Sequence, residues 1–232
     1  YQSLDILMSD YVTDESKIMF RRRVKERVSE IAPFLQLDRD PYLVVSEGRM
    51  VWMLDAYTVT DRYPYAEHFL LPRKRINYVR NSVKVVMDVY HGTVDFYVAD
   101  ADDPLINVYS RIFPSAFKPI SEMPEGLRPH VRYPVDFFDI QAAMYRAYHM
   151  TDPTVFYNKE DMWEAPKELF GSKEQLMQSY YLIMKLPGEE DEEFILLVPF
   201  VPTNKDNMIS WLAARCDPEN YGRLVLFQFP KQ

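Results

Sequence analysis

Two stretches of this chain carry the same signals in the same order, and an internal repeat constrains a fold more than composition can. The first runs through Tyr42-Leu43-Val44-Val45, a turn at Glu47-Gly48, Met50 to Thr60, Asn77-Tyr78-Val79, Gly92 and the alternating Val94-Asp95-Phe96-Tyr97-Val98. The second runs through Tyr181-Leu182-Ile183-Met184, a turn around Gly188, Phe194 to Thr203, Asn207-Met208-Ile209, Gly222 and Leu224-Val225-Leu226-Phe227. In both, the Asn and the Gly stand fifteen positions apart. Val79, Val83, Val86 and Tyr90 in one copy, and Met208, Trp211 and Leu212 in the other, have the spacing of a buried helical stripe. Gly92 then reads as a helix C-cap, and Thr203 to Asp206 as a capping box with Asp in place of Glu. A strand following such a helix can pair beside either strand of the hairpin. The expectation is an α+β fold in which two pseudo-repeated hairpin-helix-strand units form a mainly antiparallel sheet covered by helices, with a helical segment between the units.

The boundaries follow from local signals. Residues 1–40 hold an amphipathic helix, expected from Glu15 to Leu37, with Phe20, Val24, Val28, Ile31 and Leu35 inward and Arg21, Arg22, Arg23, Lys25 and Arg27 mostly outward. Residues 41–100 form the first unit, 101–178 the helical connecting segment and 179–232 the second unit, all within one globular domain. In the connecting segment Asp103-Pro104 is an N-cap followed by Pro at the first helical position. A longer helix runs from Pro134 to about Met150 with apolar residues on most faces, so it is expected to be buried on two sides. Thr151 to Phe170 reads as an ordered loop packed by its rings, anchored by Trp163.

Composition sets the permitted function classes. At 232 residues, 47% of them hydrophobic, the chain can bury a full core. A net charge of −8 argues against a general nucleic-acid role, which needs a basic surface. The single cysteine, Cys216, permits no intrachain disulfide and no cysteine-held metal; it reads as a small buried hydrophobe in a helix beside Trp211 and Leu212. There is no Gly-rich phosphate loop, nucleophile elbow, His-Glu-x-x-His or Cys-x-x-Cys, so no cofactor is expected. No apolar run approaches a bilayer-spanning length. The chain also opens without Met, inside an amphipathic phrase, as a piece of a longer protein would.

Among residues with chemical potential, Asp100, Asp102 and Asp103 could offer oxygen ligands to a cation, though helix capping accounts for Asp103. The run Glu189 to Glu193 reads as a solvated hairpin tip. His68, His91, His130 and His149 are scattered, and His149 at a helix end can answer the dipole. One asymmetry between the repeats is more informative. From Thr60 to Asn77 is seventeen positions, but from Thr203 to Asn207 only four, so the first copy carries an insertion of thirteen residues. It combines rings, an apolar patch and a basic triplet. Tyr63, Tyr65, His68, Arg73, Lys74 and Arg75 are therefore the candidate binding residues, facing a partner or anionic lipid headgroups.

Several phrases also match a known group of proteins. Ile76-Asn77-Tyr78-Val79-Arg80-Asn81-Ser82-Val83-Lys84, Asp95-Phe96-Tyr97-Val98, Ile112-Phe113-Pro114, Tyr148-His149-Met150-Thr151-Asp152-Pro153 and Trp211-Leu212-Ala213-Ala214-Arg215 together resemble uncharacterised protein family 0182. The resemblance implies a bacterial multi-pass membrane protein whose transmembrane helices precede a large extracytoplasmic region, with this chain a middle piece of that region. It implies no catalytic residues. The expected function is a non-catalytic extracytoplasmic recognition or assembly domain at the cell membrane. Its expected partners are the membrane-embedded part of its own full-length protein, with an envelope protein or anionic lipid. The alternative is a metal-assisted hydrolase acting on an envelope substrate, using Asp100 and Asp102.

Overall fold

The computed structural model describes residues 8–9, 11–16, 20–71 and 74–230. It is α+β and mainly antiparallel. The first sheet has β1 (Gln36–Leu37) and β2 (Tyr42–Ser46) side by side along one edge of the long β3 (Arg49–Thr60). A small hairpin, β4 (Phe69–Leu71) and β5 (Lys74–Ile76), projects before β6 (Tyr78–Asp88) returns to pair with β3. β7 (Val94–Val98) pairs antiparallel with β6, and β8 (Phe117–Pro119) adds the sheet's parallel pairing. A separate hairpin, β10 (Lys167–Phe170) with β11 (Lys173–Leu176), follows β9 (Trp163–Glu164). The second sheet orders β12 (Tyr180–Lys185), β13 (Glu192–Pro202), β14 (Ser210–Arg215) and β15 (Leu224–Gln228), with β9 on the far end of β13.

The helices expected inside the repeat units are strands. Residues 78–88 form β6 and 210–215 form β14, so each region is a meander rather than a hairpin-helix-strand unit. The reason lies in burial. Val83 and Val85 face one cluster with Val24, Val28 and Ile106, while Val86 faces another with Tyr42, Met53 and Met123. In β14, Leu212 and Ala214 pack to one side and Trp211 and Ala213 to the other. A strand covered on both faces loses its two-residue alternation, and β-branched content is the better guide. Gly92 takes φ +71 in the turn after β6, not at a helix end, and Thr203 to Asp206 is a turn before β14. Cys216 follows that strand and is buried.

Local punctuation matches its expected positions more closely. Glu47 and Gly48 both have positive φ, 52° and 73°, as a two-residue hairpin of primed type requires. Asp103 caps α2 (Pro104–Ile112), its side chain accepting from the Leu105 and Ile106 amides. The amphipathic helix is shorter than expected: α1 is Val24–Ile31, with Leu35 entering the same core from the loop beyond. Residues 17–19 of its expected span lie outside the described residues. The connecting segment is only partly helical, because it also supplies β8 to β11 and a short helix α4 (Pro153–Asn158).

The long helix α3 (Val135–Tyr148) joins the two halves. Phe138 and Ala142 pack on the second sheet with Leu196, Val198 and Leu212, while Ile140 packs with Leu71 and Ile76 of the first half. Trp163 is buried between Tyr145 and Phe200, as an anchor should be. His149, at the end of α3, stacks its ring on Trp163 at 3.6 Å.

Candidate functional site

The thirteen-residue insertion builds one wall of a cleft. Asn77 closes its base: the Asn77 amide donates to the Thr60 carbonyl at 2.9 Å, its side-chain Nδ2 donates to the Tyr63 carbonyl at 2.7 Å, and its Oδ1 accepts the Tyr63 amide at 3.0 Å. The Asn that marked the repeat is thus the clamp of the insertion. Tyr63 stacks on Tyr78 with ring centres 5.6 Å apart. Across the gap stand Ile140, Ala143, Met144 and Tyr148 of α3, and the enclosed volume is about 700 Å³. That is ample for an apolar side-chain group or small ligand.

Tyr78 is held by Asp103, whose carboxylate also accepts from Thr58, Ser82 and the Leu105 and Ile106 amides. Burial and the Asp103 hydrogen bond push the Tyr78 hydroxyl up to about 12, so it remains a donor throughout the neutral range. Burial would raise Asp103, but the hydrogen bonds from Ser82, Thr58, Tyr78 and Leu105 prevail and hold its carboxyl below the usual carboxylate range. The cleft's ionisable members Glu67, His68 and Arg80 make no side-chain hydrogen bonds with one another among the described residues; His68 Nε2 instead donates to the Asp61 carbonyl at 3.3 Å. The arrangement can hold apolar and aromatic groups, with the Tyr78 hydroxyl already committed to Asp103.

The candidate residues separate into two groups. Tyr63, Tyr65 and His68 line the cleft, with Tyr65 fully exposed on a strained backbone at φ 60°. Lys74 and Arg75 lie outside it, exposed on β5 beside the exposed Leu70 of β4. Arg73 lies outside the described residues. The acidic candidates do not converge: Asp100 accepts from Arg80 at 3.2 Å, Asp103 is consumed by its cap, and no group of three His, Cys, Asp or Glu side chains among the described residues could hold a metal ion. The acidic run is not wholly solvated either. Glu193 is buried and paired with Arg215, which also reaches Glu189 at 2.7 Å, because β14 brings the guanidinium under the hairpin.

A second polar centre was missed by sequence reasoning. Asp55 and Lys84, directly opposite on β3 and β6, form a buried ion pair. Lys84 Nζ also donates to the Tyr221 hydroxyl at 2.6 Å and the Arg132 carbonyl at 3.3 Å, tying the first sheet to the second half of the chain. Burial pushes the Asp55 carboxyl up, against the opposing pull of Lys84. A signal existed: each charge interrupts an apolar run, Met53-Leu54-Asp55-Ala56-Tyr57 and Val83-Lys84-Val85-Val86, where only a partner makes burial tolerable.

The model of the Uncharacterised protein family (UPF0182) matches residues 1–232, the whole chain. The chain belongs to that family. A UPF0182 protein of Pelotomaculum thermopropionicum is 55% identical over 98% of this chain and 24% of its own length. UPF0182 proteins of Methanospirillum hungatei and Trichodesmium erythraeum are 52% and 50% identical over 99% of the chain, and over 26% and 27% of their own lengths. The chain therefore spans about a quarter of the length of the UPF0182 relatives it matches. No solved structure matches it.

Proposed function

We propose that this UPF0182 segment is a non-catalytic recognition domain on the extracytoplasmic side of a multi-pass membrane protein, and that its insertion contacts anionic lipid headgroups beside the protein's own membrane-embedded part. The observation that carries the reading is the composition of one exposed end of the fold. Leu70, Lys74 and Arg75 are exposed on the β4–β5 hairpin, whose Phe69 and Ile76 line the same cleft as the rings of Tyr63 and Tyr65. Aromatic rings and cationic side chains around an exposed aliphatic residue are the combination that anchors at a bilayer interface. The chain as a whole carries a net charge of −8 and would be repelled, which orients the basic hairpin toward the lipid. No helix among the described residues is long and apolar enough to cross a membrane.

Vesicle co-sedimentation tests this. Each basic residue near an anionic surface contributes about 1 kcal/mol, so Arg73→Ala/Lys74→Ala/Arg75→Ala should weaken binding to phosphatidylglycerol vesicles by roughly two orders of magnitude. The melting temperature should hardly change, since Lys74 and Arg75 are exposed. Equal binding of the parent to neutral phosphatidylcholine vesicles, or undiminished binding by the triple variant, would overturn the proposal.

A further inference from the structure

A different part of the molecule holds a cation without an anion. Among the described residues four arginines are wholly or partly buried: Arg27, Arg132, Arg146 and Arg215. Three have acceptors for their guanidinium groups. Arg27 donates to the carbonyls of Phe20, Arg21 and Gly92, Arg146 to the Trp163 carbonyl, and Arg215 to Glu189 and Glu193. The guanidinium of Arg132 has none among the described residues. It is nonetheless held in place. Its centre lies 4.3 Å from the Tyr42 ring, and 5.4 Å and 5.6 Å from the mutually stacked rings of Tyr181 and Phe194.

The backbone is equally constrained. The Arg132 amide donates to the Tyr42 hydroxyl at 3.2 Å, and its carbonyl accepts from Lys84 Nζ at 3.3 Å and the Tyr221 hydroxyl at 3.1 Å. Rings stabilise a guanidinium through its faces and leave its in-plane N–H donors unused. Arg132 lines a pocket of about 310 Å³ together with Leu43 to Val45 of β2, His130 and Asp217. Among the described residues β2 pairs with β3 alone, which leaves its other edge unpaired. Asp217 uses one oxygen to accept the Phe194 amide at 3.3 Å.

We infer that the Arg132 pocket is a binding site for a small carboxylate, of the kind presented by a free amino acid or by the C-terminal residue of a peptide. A fixed planar fork suits the two oxygens of a carboxylate. Asp217 and the strand edge provide acceptors for an amine or amide next to that carboxylate, and they disfavour a multiply charged anion. The pocket volume is at the small end for ligand sites, which fits one residue rather than a long segment. This site shares no residue with the insertion cleft and does not depend on lipid contact.

The test uses arginine-edited NMR, in which the Arg132 Nε–H resonance of the unmodified protein is followed directly. Acetate, glycine, acetyl-glycylglycine and its amide-capped form are titrated separately. The expected result is a saturable shift with the free carboxylates and none with the capped peptide. Stronger binding of glycine would assign a free amino acid, and stronger binding of acetyl-glycylglycine a peptide terminus. Arg132→Lys, which keeps the charge but loses the fork, should weaken the best of these at least tenfold, the scale of a charged hydrogen bond. No saturable shift with any carboxylate, or inorganic phosphate binding as tightly as the best carboxylate, would overturn the assignment. Because the resonance is read in the parent protein, a destabilised variant leaves the result decisive.

Discussion

Lys84→Met is expected to lower the unfolding free energy by about 3–5 kcal/mol at neutral pH, because it strands the Asp55 carboxylate in a buried interface. The loss should depend on pH in a definite sense. Without Lys84 the main opposition to the burial that already pushes Asp55 up is gone. An acid whose folded pKa is raised binds more protons folded than unfolded, so its stability contribution is complete below its unfolded value, about 3.9, and is lost as pH rises toward the folded value. The difference between the variant and the parent should therefore be smallest near about pH 4 and grow toward neutrality. Asp55→Leu/Lys84→Met should recover much of the loss, since an apolar pair of similar size needs no desolvation. Urea unfolding of the three proteins at several pH values decides the matter. A pH-independent difference below about 1 kcal/mol would show that the pair is not the linchpin its burial indicates.

The second large effect belongs to Asp103. Asp103→Ala removes a helix cap and, at the same time, the acceptor shared by Thr58, Ser82 and Tyr78. A cap is worth about 1 kcal/mol and each stranded buried hydroxyl about 1–3, so a loss near 3 kcal/mol is expected after Thr58 and Ser82 re-pair with one another. The sign of the pH dependence is opposite to that at Asp55. Asp103 is held below the ordinary carboxylate range, so its contribution is present above the unfolded value and lost as pH falls through the folded one. Asp103→Asn should consequently flatten the loss of stability below about pH 4. It should also loosen Tyr78, which stands in the cleft wall against Tyr63. An acid unfolding profile identical to the parent's would contradict the role given to Asp103.

These two carboxylates mark the limit of what can be read along a chain. Asp103 precedes Pro104 and caps the helix that begins there, so its local role was legible in two adjacent letters. Its contacts with Thr58, Tyr78 and Ser82 span 21 to 45 positions, and no local signal announced them. The acidic run behaved similarly: its position at a hairpin was legible, but Glu193 turned inward because Arg215, paired with Ile195 on the neighbouring strand, reaches it two residues along.

What the sequence determined by itself was punctuation and composition. The Glu47-Gly48 hairpin, the Asp103-Pro104 cap, the helix beginning at Pro134, the buried Trp163 and the α+β class all follow from backbone preferences or patterning within a few residues. Tertiary structure alone decided that residues 78–88 and 210–215 are strands, since their periodicity vanishes when both faces are covered. It alone placed Lys84 against Tyr221, 137 positions away, and set Arg132 among rings from Tyr42, Tyr181 and Phe194. Local conformational preference acts over one or two turns of chain, whereas the pairing of buried charge is settled only when distant strands meet and water is excluded between them.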